Sequence, residues 1–278
     1  MRDRQLTPTF PRLAFRRQGA GGAPVLLLMG FGMPGSAWEP QTGDLARDHQ
    51  LVVVDNRGVG ASPDPPGRRL TMRDMAEDAA RVLDACGLAS AHVVGISMGG
   101  MIAQELALCA PERVRSLSLI ATHPGGSPAA WPRPRALYLL VRSMAFPRRS
   151  FESLCRLLYP REYVAAHRDA IRQHWRSLGR PAGRAVLLAQ AGAIARHDTR
   201  RRLAAVRVPT LVVRPGRDIL IPPRQSDRLA RAIPLATLLR FDDAGHGVHQ
   251  QKARELNAAL RAHIEQAESA ARTAAAGG

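Results

Sequence analysis

Lysine is almost missing from this chain. Lys252 is the single example among 40 basic residues, and the rest are arginine. Aromatic residues make up only 4% of the sequence, too few and too scattered for a base-stacking platform. The three cysteines, Cys86, Cys109 and Cys155, are odd in number, far apart and never in a C-x-x-C pair. That excludes a disulfide framework or a zinc ribbon and leaves free thiols in a reducing compartment as the expectation. No apolar run approaches the roughly 18 residues of a membrane-spanning helix. Met1 to Pro8 carries charge with no apolar segment behind it, so we expect a cytoplasmic protein without a secretory signal.

The formal charge of +17 would ordinarily point to an acidic partner such as nucleic acid. Its near-exclusive arginine make-up, beside abundant alanine, glycine and proline, reads instead as the codon bias of a GC-rich genome. No zinc-finger or helix-turn-helix spacing supports nucleic-acid binding.

The 278 residues, 45% of them apolar, suffice for one large α/β domain with an insertion. Arg12 to Arg16 alternates weakly, as an edge strand would. Pro24 to Met29 and Leu51 to Asp55 are continuous apolar runs, as expected of strands buried on both faces of a parallel sheet. Thr71 with Asp74 forms a capping-box signal for a helix that Gly87 ends. Strands at Ala91 to Gly95 and Val114 to Ala121 follow, then after a long gap at Val208 to Val213 and Thr237 to Phe241. Strands alternating with helices at this spacing predict a mostly parallel sheet flanked by helices.

The gap, residues 123–202, has no strand pattern and predicts an all-helical lid between core segments 1–122 and 203–268. Residues 269–278 read as a disordered tail. The lid is rich in arginine: Arg133, Arg135, Arg142, Arg148, Arg149, Arg156, Arg161, Arg168, Arg172, Arg176, Arg180 and Arg184. Trp131, Tyr138, Phe146, Phe151 and Trp175 read mainly as lid core, a minority of them lining an acyl pocket.

The stretch that organises the chain is Gly95-Ile96-Ser97-Met98-Gly99, between a β-branched run and a helical segment closed by Pro111. A strand, a sharp turn and a helix hold the serine in a strained conformation. A side chain at Gly95 or Gly99 would collide with neighbouring backbone. The Met98 amide then lies at a helix N-terminus, where an oxyanion is stabilised. A serine hydroxyl needs a base to take its proton and a carboxylate to orient that base. Asp218 and His246 stand on loops just after strands and supply both.

With Met29-Gly30-Phe31-Gly32, the run Asp55-Asn56-Arg57-Gly58-Val59-Gly60-Ala61-Ser62, Gly216-Arg217-Asp218 and Gly245-His246, these residues resemble the α/β-hydrolase superfamily over about residues 10–268. The resemblance implies an eight-stranded sheet with a helical lid. It makes Ser97 the nucleophile, His246 the general base and then acid, and Asp218 the orienting carboxylate. The amides of Phe31 and Met98 become the oxyanion donors. No cofactor or metal is implied. Relatives often carry His-Gly where this chain has Met29-Gly30. Methionine there is similar to some polyketide-tailoring esterases, including aclacinomycin methylesterases.

The implied activity is hydrolysis of a small-molecule carboxylic ester or lactone. Alternatives are a carbon–carbon bond hydrolase, a cofactor-free haloperoxidase-like enzyme, a methylesterase receiving an acidic acyl-carrier protein on the arginine-rich lid, or a non-catalytic scaffold. Epoxide hydrolases and dehalogenases are disfavoured because those relatives carry aspartate at the elbow. Four other signals read as structural. Asp55 and Arg57 belong to a structural loop in this superfamily, and Asp242 and Asp243 are loop residues. His249, three residues after His246, lacks the further ligands a zinc site needs. Gly58-Val59-Gly60 lacks the rest of a nucleotide fingerprint. The strand ending at Ala121 offers Thr122 and His123, so no rival acid appears there.

Overall fold

The structure, a computed structural model, describes residues 4–65, 67, 69–126, 132–145, 150–179 and 182–276. In chain order the elements are β1 (Arg4–Leu6), β2 (Ala14–Gln18), β3 (Pro24–Leu28), α1 (Glu39–Leu45), β4 (Gln50–Val54), α2 (Met72–Ala85), β5 (Ala91–Ile96), α3 (Met98–Cys109) and β6 (Val114–Ile120). There follow α4 (Pro134–Ala145), α5 (Ser150–Leu158), α6 (Arg161–Ser177), α7 (Arg184–Arg196), β7 (Thr210–Pro215), α8 (Arg224–Ala232), β8 (Ala236–Phe241), α9 (Val248–Gln251) and α10 (Ala253–Ala276). The strands form an eight-stranded sheet in the order β1-β2-β4-β3-β5-β6-β7-β8. β1 with β2 and β2 with β4 are antiparallel, and every other pair is parallel.

The apolar runs are the centre of this sheet. Every residue of β3 and β5 is buried. Alternate side chains enter opposite faces, as the two-residue period of a strand requires. Leu26 and Leu28 join Val82 of α2 and Ile102 of α3 on one face. Val25 and Leu27 join Trp38, Leu260 and Ile264 on the other. Each such side chain contributes about 1.5–3 kcal/mol by leaving water. Thr71 and Asp74 close the expected capping box: the Asp74 amide donates to Thr71 Oγ1 at 3.1 Å and the Thr71 amide to Asp74 Oδ2 at 2.8 Å. Cys86 and Cys155 are buried free thiols, and Cys109 is half-buried.

Two expectations differ from the structure. The Arg12–Arg16 alternation belongs to β2, which is not the edge. β1 lies outside it, pairing Arg4 with Arg16 and Leu6 with Ala14. β1 is three exposed residues long and leaves no periodic signal. The second concerns the tail, because α10 continues to Ala276. Its alanine content favours helix. Ala267 packs inward, and Glu268 accepts from His92 Nε2 at 3.0 Å and Arg115 Nη1 at 3.2 Å. Among the described residues, no helix is long and apolar enough to cross a membrane.

Candidate active site

The connection from β3 through α1 leads to β4 on one side, and α2 then carries the chain back to β5 on the other side of β3. β3 and β5 therefore flank a topological switch point, where a parallel sheet opens a crevice beyond its carboxyl ends. Phe31 follows β3 and Ser97 follows β5.

Ser97 has φ +56° and ψ −121°, a conformation costing about 1–3 kcal/mol for a side chain with a Cβ. The neighbouring glycines make the tight turn possible. A Cβ at Gly95 would sit 2.3 Å from the Gly99 carbonyl oxygen, and one at Gly99 would sit 2.0 Å from that of Leu28. Backbone and side-chain bonds complete the clamp. The Ser97 amide donates to Ile120 O at 2.9 Å, and Thr122 Oγ1 donates to Ser97 O at 2.7 Å.

Asp218 and His246 come together as expected. His246 Nδ1 lies 2.7 Å from Asp218 Oδ2, and both residues are buried. The other carboxylate oxygen accepts from the amides of Leu220 and Ile221, each at 2.8 Å. A carboxylate can only accept, so the proton sits on Nδ1 and leaves Nε2 as the acceptor. Among the described residues Asp218 is the only hydrogen-bond partner of the ring. Ser97 and His246 line one cavity.

The amides of Phe31 and Met98 have no protein acceptor among the described residues. The Phe31 loop lies against the elbow, since a Cβ at Gly30 would come 3.1 Å from Ser97 Cβ. Met29 is buried, and Asn56 Nδ2 donates to its carbonyl at 3.1 Å. That bond braces the loop where relatives often carry histidine. Asp55 is occupied in accepting from the Gly35 and Ala61 amides at 2.7 and 2.9 Å, and Arg57 pairs with Asp78.

Helices α4–α7 lie over these loops and hold them. Gln190 Oε1 of α7 accepts from the Gly32 amide at 2.8 Å. Leu158 O, at the end of α5, accepts from the Gly247 amide at 2.8 Å, and Tyr159 donates to Gln250. Part of the lid's arginine is engaged within the lid: Arg168 pairs with Glu152, and Arg168 and Arg172 lie over the Phe151 ring. Tyr138 is exposed. Trp131, Phe146, Arg148, Arg149 and Arg180 lie outside the described residues.

Beneath the lid two chambers meet at Ser97 and Phe31. One, of about 200 Å³, is bordered by Met101, Ile194, His123 and His197. The other, of about 110 Å³, is bordered by His246, His249, Tyr159 and Trp175. The three further histidines were not apparent as site residues: His123 follows β6, His249 lies in α9 and His197 follows α7, and only the folded chain sets their rings at the chamber walls. Burial lowers their pKa values, to about 3 for His123, about 4 for His197 and about 3 for His249, so each is neutral at pH 7. His249 packs edge-on against Trp38, with centroids 5.8 Å apart. Among the described residues no three His, Cys, Asp or Glu side chains are grouped to hold a metal ion.

Residues 23–253 match the family described as the alpha/beta hydrolase fold. The chain belongs to that family. It is 34% identical over 251 residues to a protein of Azorhizobium caulinodans that bears the name carbamate hydrolase RutD, covering 84% of this chain and 88% of that one. A thermophilic esterase from Thermogutta terrifontis superposes with a TM-score of 0.81 at 28% identity, covering 95% of this chain and 99% of the esterase. A hydrolase from Pseudomonas aeruginosa superposes with a TM-score of 0.83 at 25% identity, covering 95% of this chain and 98% of its own. The hydrolase family and the eight-stranded architecture agree with the sequence reading.

Proposed function

We propose that this protein is a serine hydrolase that cleaves a small-molecule carboxylic ester or lactone through an acyl-enzyme. One observation carries the reading: His246, hydrogen-bonded to Asp218, borders the same chamber as a serine held at positive φ. Ser97 Oγ attacks the carbonyl carbon while His246 Nε2 takes its proton, and Asp218 holds the ring and stabilises the imidazolium. Negative charge growing on the carbonyl oxygen meets the free amides of Phe31 and Met98. His246 then gives its proton to the leaving alkoxide oxygen, and the carbon–oxygen bond breaks. Water, deprotonated by His246, repeats the attack and releases the acid.

The proton donor fixes which chamber holds which half of the substrate. The leaving group must lie beside His246, in the smaller chamber. The acyl group then fills the larger one, which His246 does not border. A lactone, whose two halves are joined, would span both.

The name carried by the 34% identical relative favours a second reading, a carbamate substrate. Carbamate has no alcohol to expel, so on the same machinery the carbon–nitrogen bond would break and ammonia would leave with the proton from His246. Size separates the two. A chamber of about 200 Å³ has room for on the order of ten waters, far more than carbamate itself fills. The test is hydrolysis of p-nitrophenyl esters from acetate to decanoate, beside carbamate, by wild type and Ser97→Ala. We expect medium-chain esters to be preferred and Ser97→Ala to lose at least about a thousandfold in kcat. Carbamate turned over faster than every ester would replace the ester reading with the second.

A further inference from the structure

His123 stands just beyond the carboxyl end of β6, buried, and borders the larger chamber with Ser97. Its ring is fixed from behind. Nδ1 accepts from the Gly125 amide at 2.9 Å, and Gln104 Nε2 donates to the His123 carbonyl at 3.1 Å. Thr199 Oγ1 in turn donates to Gln104 Oε1 at 2.7 Å, so the brace is itself held.

An Nδ1 that accepts carries no proton, so in the neutral ring the proton is on Nε2. Nε2 has no protein acceptor among the described residues. The neighbouring His197 is also buried, with no hydrogen bond to either ring nitrogen among the described residues although Nδ1 lies 3.9 Å from Glu105 Oε1, and its ring centroid lies 6.1 Å from that of His123. Unpartnered polar groups thus gather at one end of a chamber whose other walls, such as Met101, Leu140 and Ile194, are apolar. A donor open to a largely apolar chamber is best satisfied by an acceptor that a ligand brings.

We propose that His123 is a specificity-determining residue: its Nε2–H donates to an oxygen carried by the acyl group in the larger chamber. The preferred acyl group then bears a carbonyl, ether or hydroxyl oxygen. A carboxylate does not fit, because among the described residues no cation lines the chamber to balance a buried charge. His123 is not a second general base, because the Gly125 amide occupies the nitrogen that would accept. The inference rests on the serine-hydrolase reading and on its assignment of the chambers.

The test compares p-nitrophenyl butanoate with methoxyacetate, and pentanoate with 3-methoxypropanoate and 4-oxopentanoate, pairs matched in length. Within each pair the ratio of kcat/KM, oxygenated over plain, is measured in wild type, His123→Phe, His123→Leu and His123→Gln. We expect the ratio to fall about tenfold in Phe and Leu for at least one pair, mostly through KM, and to recover in part in Gln, which keeps a donor. Two apolar replacements guard against a folding defect in one. Ratios equal to wild type in every pair would overturn the role of His123 and leave the serine mechanism standing. Plain esters hydrolysed by Ser97→Ala at the wild-type rate would overturn the underlying reading, and this inference with it.

Discussion

Gln190 of α7 accepts the Gly32 amide at 2.8 Å, tying the lid directly to the loop that carries Phe31. Gln190 is fully buried, 158 residues away in sequence from the glycine it holds. Leu158 makes the corresponding tie to the His246 loop through Gly247. The helices between β6 and β7 therefore hold the Phe31 and His246 loops besides covering them.

Gln190→Met removes the acceptor while keeping the volume. On the proposed mechanism kcat falls about tenfold with KM little changed, since a loosened Phe31 amide matters most once charge has developed. Steady-state kinetics on the preferred ester check this, with circular dichroism confirming the fold.

Gly99→Ala places a methyl group 2.0 Å from Leu28 O, backbone that cannot step aside. Stability should drop by at least about 3 kcal/mol. Urea unfolding measures it, and a midpoint equal to wild type would contradict the packing described for the elbow.

Glu268→Ala leaves His92 Nε2 buried without its acceptor and leaves Arg115 with its bond to Ser90 Oγ. We expect a loss of about 1–2 kcal/mol, whereas removing residues 270–278 should cost far less. Thermal melts of the two variants separate a structural C-terminal helix from a dispensable tail.

Acid should weaken the fold through its buried histidines. Burial holds His92 at about 4, although Glu268 opposes the shift, and holds His123, His197 and His249 at about 3 to 4. The unfolded chain, with histidines near 6.5, takes up protons first as pH falls. The stability these groups contribute is complete above about pH 7 and is lost progressively between about 6.5 and 3. Urea midpoints should therefore drop clearly from pH 8 to pH 5.

The sheet and the polar triplet were legible because strong local signals coincide there. Ser97, Asp218 and His246 each follow an apolar run, and a parallel sheet gathers such loops at one edge. What escaped the sequence depends on distant partners. β1 has no periodicity, and its three exposed residues are ordered only by pairing with β2. The alanine-rich end of α10 reads as a tail until Glu268 is seen against His92. Gln190 looks like an ordinary helix residue, Trp175 reads as lid core or pocket wall without a way to choose, and His123 draws notice only because it is no carboxylate. Their directions are set by tertiary packing, which no local pattern encodes.

The central claim is that Ser97 is a nucleophile activated by His246 and Asp218. Its most direct test is covalent capture: incubate the protein with an alkyl fluorophosphonate and locate the adduct by peptide mass spectrometry. The account predicts one phosphonyl group on Ser97, none in Ser97→Ala, and labelling slowed by orders of magnitude in His246→Ala. An adduct on another residue, or equal labelling rates in wild type and His246→Ala, would contradict it.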